Sequence, residues 1–305
     1  MAERAVRAPA WALAGALGAA YLLLAPASAD LAAQQYRAAL GLVIWDGGWY
    51  GGHHMPAYSV LFPPLASILG APLTGALAAV GAAAAFERLA TAHFGRRARA
   101  GALWFALGTA TLLLTGRLTF TLGLALGTVA VLAATRGRTA VAALVAAAAA
   151  LSSPVAGAFL GLAGGAWWIA QRGWAPVALG AGGVLPALAL TVAFPEGGTF
   201  PFAASSFWPS LAVLAAAVAA LPREERLLRA GGTLYAAAMV ASFAVQTPMG
   251  GNVVRLGALV AGPLVACALW GRRPALLAAL AVPLLWWQWG AAADDWYRAE
   301  RDPSV

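Results

Sequence analysis

Polar and apolar positions in this chain alternate on the scale of whole helices. Runs made mostly of Ala, Leu, Val and Gly recur from end to end, at residues 9–29, 71–90, 101–115, 118–134, 139–152, 154–170, 174–193, 207–221, 230–246, 253–270 and 274–290. A helix needs about 20 apolar residues to cross a hydrocarbon core of ~30 Å, so runs of this kind read as membrane spans. An outer-membrane barrel would instead show ten-residue strands with every second residue polar, a pattern not seen here. Several runs are short. The two pairs that flank Arg117 and the Ser152, Ser153, Pro154 step predict tight helical hairpins with polar turns dipping toward the membrane. The predicted fold class is all-α, a polytopic integral membrane protein of about eleven transmembrane helices. No long linker interrupts the runs, so 1–305 reads as a single transmembrane domain.

Residues 30–70 break the rhythm. In "DLAAQQYRAALGLVIW", Leu31, Ala38 and Leu42 fall on one helical face and Gln34, Gln35 and Arg37 toward another. This predicts a short helix lying in the membrane interface. Asp46, Gly47 and Gly48 then give a turn signal, and "WDGGWYGGHHMPAYSVLFPPLASILG" leads into the second span.

Composition strengthens the membrane reading. Hydrophobic residues make up 62% of the chain and charged ones 10%, with a mean hydropathy of +0.78, whereas about a quarter of a soluble domain is charged. The net charge of +8 comes from arginines alone, since the 19 basic residues include no Lys. They are dispersed between apolar runs and form no stripe, which argues against nucleic acid as a partner. The Ala, Gly and Arg richness suggests a GC-rich bacterial genome. Their placement also predicts orientation. With a cytoplasmic N-terminus, fourteen arginines fall on the cytoplasmic side and five on the other, namely Arg37, Arg117, Arg255, Arg298 and Arg301. The expected location is thus the bacterial plasma membrane, multi-pass, with residues 30–70 extracytoplasmic. Ala27, Ser28 and Ala29 also fit a signal-peptide cleavage site; a retained first helix is the reading taken, and the remaining topology is the same either way. The single Cys267 excludes an intrachain disulfide and a Cys-based metal site.

The candidate chemistry gathers on the outer side. Asp46, on a glycine-rich turn flanked by indoles, is placed to act as a general base, or simply to hold the turn as an Asx residue. His53 and His54 fall short of a metal set, so no cofactor is expected; a divalent ion would need Asp46 to join one of them. Hydrogen bonding to a phosphate or a sugar hydroxyl is the other role for this pair, beside that of ordinary interfacial histidines. Arg117, in "LLTGRLTF", and Arg255, in "GGNVVRLGAL" after Asn252, sit at outer helix mouths. There a planar fork of donors suits a lipid phosphate, or snorkels to headgroups. Trp49, Tyr50 and Tyr58 offer flat surfaces for a sugar, and tryptophans at this depth also serve as an aromatic belt.

A first span, a long outer loop with an early aspartate, an interfacial helix and a "PPL" run into the second span resemble the GT-C class of membrane glycosyltransferases. "WDGGWY" is similar to the opening of the mannosyltransferase branch. The resemblance covers about 60 residues well. It implies a polyprenyl-phosphate-sugar lipid donor, an extracytoplasmic acceptor, and inversion at the anomeric carbon. Asp46 falls on the aspartate that deprotonates the acceptor. No second acidic residue follows Asp46 in this loop.

Two other classes stay open. A transporter or permease would place polar residues in mid-helix along a path, and the span interiors offer few beyond Thr109, Thr111 and Ser242. A non-catalytic GT-C-like scaffold, with membrane lipids as its partners, would tolerate loss of Asp46.

Overall fold

Each of the eleven apolar runs folds as a helix. The computed structural model describes residues 8–28, 30–43, 49–50, 53–54, 59–194, 198–299 and 301. The helices are α1 (Ala10–Leu24), α2 (Leu31–Leu40), α3 (Phe62–Leu69), α4 (Ala71–Phe94), α5 (Ala98–Leu114), α6 (Leu118–Thr135), α7 (Thr139–Ser152), α8 (Pro154–Ala170), α9 (Trp174–Ala193), α10 (Ala204–Ala220), α11 (Arg226–Ala244), α12 (Val254–Leu269) and α13 (Pro274–Ala299). Among the described residues, the regular structure is helical apart from a short antiparallel ribbon of two two-residue strands, β1 (Trp49–Tyr50) with β2 (His53–His54).

Six stretches among the described residues are long and apolar enough to cross a membrane: α4 with α5, α6, α9, α11, α12 with the turn before it, and α13. Helices α1, α7, α8 and α10 are apolar but shorter. The outer surface is compatible with lipid. Leu23, Val192, Val282 and Leu144 each expose more than 70% of their area, whereas a soluble monomer seldom shows large contiguous apolar surface.

Helix α5 lies centrally, packed on α1, α4, α12 and α13, while α6 packs on α4, α7, α8 and α9. Helices α8 and α11 join these groups to α10. Small residues set the close approaches. A methyl group on Gly157 of α8 would run into Ala150 and the Gly183 carbonyl of α9, so the two backbones meet through glycine, as small-residue interfaces in membranes do. Phe86 and Phe105 stack at 4.1 Å in the largest core cluster.

Both predicted hairpins form. In the second, Ser153 is extended and ends α7 as it begins α8, with Pro154 in the first helical turn, where its missing N–H costs nothing. Helix α3 was not expected, although Pro63 and Pro64 in its first turn carry the same start signal. Gly70, at φ 83°, then bends the chain into α4.

Contacts between loops sort them into two ends. At the basic end, Glu87 accepts from the Ala10 N–H, His93 Nε2 meets Glu225 at 2.9 Å, and Arg272 donates to Glu224 at 2.9 Å. Hydrogen bonding to its own backbone and the nearby Arg272 hold the Glu224 carboxyl below its usual range. At the opposite end, Ser59 Oγ donates to the Ser152 carbonyl at 2.7 Å and Phe200 N–H to the Thr247 carbonyl at 3.0 Å.

Candidate functional site

The end opposite the basic loops carries the candidate residues, and three separate segments build it. The first is the turn between α5 and α6. Gly116 adopts φ 66°, and an added Cβ there would collide with Ser28 Oγ and the Leu31 nitrogen. The turn therefore rests directly on the stretch joining α1 to α2. Arg117 follows as the residue before α6, its N–H donating to the Leu112 carbonyl at 2.9 Å. Two buried donors at this junction, Arg117 Nε and Ser28 Oγ, lack a hydrogen-bond partner among the described residues. Orphans of this kind are uncommon and need an explanation.

The second segment is the start of α12. Tyr235 of α11 donates to the Val253 carbonyl at 2.6 Å and accepts from the Gly257 N–H at 3.0 Å. This clamp fixes the helix start that carries Arg255. The Arg255 guanidinium lies 5.7 Å from the centre of the Phe120 ring, within cation–π range. Phe120 is buried and belongs to the first turn of α6, the helix that Arg117 precedes and whose N-terminal N–H groups favour an anion. Asn252 is part of this turn, and its Nδ2 donates to the Pro248 carbonyl at 3.1 Å.

The third is the end of α13. Asp295 interacts electrostatically with Arg117, Asp30, Arg298 and Asp294. Asp30 and the Asp294–Asp295 pair come from opposite ends of the chain, and nothing in their local sequence pairs them.

Helix α2 forms over Leu31–Leu40, with Leu31 and Ala38 packed on the core and Gln34 and Arg37 also buried, while Gln35 is exposed. Gln34 is 3% and Arg37 5% exposed, with Arg37 donating to Gln34 Oε1 at 3.0 Å, while Leu42 beyond the helix is 83% exposed. A cation buried in such a protein is costly. The signal was its spacing, since residues 34 and 37 share a helical face.

Asp46 and Tyr58 lie outside the described residues. Trp49, Tyr50, His53 and His54 are placed by their backbone, Trp49 opposite His54 and Tyr50 opposite His53. The chain at Ser59–Leu61 is anchored, with Val60 and Leu61 both donating to the Leu151 carbonyl beside the Ser59 bond. No group of three His, Cys, Asp or Glu side chains able to hold a metal occurs among the described residues.

Among the described residues, Gln288 is a buried interhelical polar group with no signal in its local sequence. Gln288 of α13 is 3% exposed, accepts from Trp104 Nε1 of α5 at 2.9 Å, and donates to the Leu259 carbonyl of α12 at 3.3 Å. Thr109 and Thr111 hydrogen-bond to carbonyls of their own helix. Comparison with protein-family models, curated proteins and solved structures yields no match for this chain.

Proposed function

We propose that this chain is a membrane glycosyltransferase of GT-C type, moving a sugar from a polyprenyl-phosphate donor to an acceptor on the extracytoplasmic face of a bacterial plasma membrane. The observation that supports the reading is that two cations sit against the start of α6, Arg117 as the residue before it and Arg255 at 5.7 Å from the ring of Phe120 in its first turn. Eleven helices cross the bilayer, with the basic end cytoplasmic by the arginine rule.

The chemistry follows from the parts. A departing phosphate needs fixed positive charge, because its negative charge grows as the glycosidic bond breaks. Arg117, Arg255 and the α6 N-terminus supply it, and the orphaned Arg117 Nε and Ser28 Oγ are donors for phosphate oxygens. Asp46 takes the acceptor proton as that oxygen bonds to the anomeric carbon. Trp49, Tyr50, His53, His54 and Tyr58 hold the sugar, and Asn252 lines the donor side. Arg37 adds a buried cation under the loop. The interior polar groups favour this reading over a carrier, since Gln288, Thr109 and Thr111 are bonded to protein groups.

The test is transfer of label from radiolabelled polyprenyl-monophosphate sugars in membranes containing the protein. Label entering a polar or glycolipid product above that of empty membranes supports the reading, and no transfer from any of a panel of such donors contradicts it. Orientation is tested separately. A cysteine at His53 should react with a membrane-impermeant thiol reagent in intact cells, and one at Arg97 should not.

A further inference from the structure

The basic end carries a groove that the glycosyltransferase reading leaves unused. It is open, about 550 Å3 in volume, and runs between α1, α4 and the turn after α6, lined among others by Trp11, Glu87, Arg88, Thr91 and Arg136. Its one carboxylate is already engaged. Both Glu87 oxygens lie 3.0 Å from the Ala10 N–H at the start of α1, and Arg99 approaches at 3.6 Å. Glu87 thus closes the α1 terminus and is neutralised in place.

The two arginines are left over. Arg88 makes a long 3.4 Å hydrogen bond to the Ala84 carbonyl, and Arg136 projects into the open. Neither forms an ion pair among the described residues. The groove is therefore net positive, with an indole, 43% exposed, at its rim.

Its position selects the ligand. Arg88 stands six residues before the end of α4, about 9 Å along the helix axis, which is headgroup depth for a helix that crosses. Leu73, Leu77, Ala84 and Arg88 follow one stripe of α4 at helical spacing, and Leu77 and Leu73 are 54% and 37% exposed. A phosphate gripped by the arginines would continue into an acyl chain along those leucines.

We propose that this groove binds the phosphate headgroup of an anionic glycerophospholipid from the leaflet at the basic end. Basic pockets between helices on this side suit such headgroups. The proposal rests on the chain crossing the membrane and is independent of any sugar transfer.

The experiment is purification into phosphatidylcholine nanodiscs followed by titration with phosphatidylglycerol, read by native mass spectrometry and thermal unfolding. The wild type should retain anionic lipid and unfold at a higher temperature as it is added. The Arg88→Gln, Arg136→Gln double variant should bind about 25-fold more weakly, each basic residue near an anionic surface being worth about fivefold. A control pair, Arg223→Gln with Arg273→Gln, removes the same charge from the same end outside the groove and should bind as the wild type does. Equal loss in both pairs, or no loss in the groove pair, overturns the proposal. So does an equal thermal shift from inorganic phosphate, which would make this a free-anion site.

Discussion

The guanidinium of Arg255, from α12, lies over the face of Phe120, from α6, at 5.7 Å from the ring centre. Phe120 is itself held edge-on by Phe159 at 6.0 Å and is 1% exposed, so the arginine rests on a rigid, dry platform. The pairing joins two helices far apart in sequence and sets a cation against a residue in the first turn of α6. Arg255→Gln should raise the KM for the lipid donor by roughly 10- to 100-fold, the range for one charge-assisted hydrogen bond, with kcat little changed if ground and transition states are held alike. Steady-state kinetics with varied donor would check this. An unaltered KM removes Arg255 from the phosphate site.

Helix α2 gives a second prediction. Gln34→Leu takes one hydrogen bond from the buried Arg37, at a cost of about 1–2 kcal/mol. Gln35→Leu, on the exposed side of the same helix, should cost little. Thermal unfolding in detergent distinguishes them, and equal effects would mean that the buried Gln34–Arg37 pair is not what holds α2.

A third concerns Gln288. Its amide ties α5, α12 and α13 together, close enough to α5 that a side chain at Gly108 would strike it. Gln288→Leu should destabilise the bundle by about 1 kcal/mol or somewhat more, since interhelical hydrogen bonds in membranes are worth about 0.6–2 kcal/mol. Trp104→Phe should be non-additive with it in a double-mutant cycle. Full additivity in unfolding measurements would deny the bond.

The fold was legible in the sequence where the physics is local. A run of Ala, Leu and Val longer than a dozen residues can satisfy its backbone in an apolar medium only as a helix, so all eleven runs gave helices within a few residues. The turns at Gly116 and Ser153 were legible for the same reason. Helix α3 was missed because only eight residues separate its start from Gly70, too few for a periodic signal. The burial of Gln34 and Arg37 was missed because a ten-residue, alanine-rich helix has no strongly apolar face to set its rotation. Its partners, α3, α4 and α6, come from elsewhere in the chain. The electrostatic influence of Arg117 and Asp30 on Asp295 depends on three distant segments, and no local spacing encodes it. Arg117 and Arg255 could be picked out singly, as cations on the poorly charged side, but the approach of Arg255 to Phe120 of the helix that Arg117 precedes appears only in three dimensions.

Asp46→Asn tests the central claim most directly. The change keeps the size of the side chain while removing the proton acceptor. Expression and thermal stability should stay near wild type, since one hydrogen bond is worth about 1 kcal/mol net. Transfer from the polyprenyl-phosphate donor should fall about 10²- to 10⁴-fold, the usual contribution of a positioned base. A folded Asp46→Asn protein that transfers sugar at the wild-type rate would contradict the account.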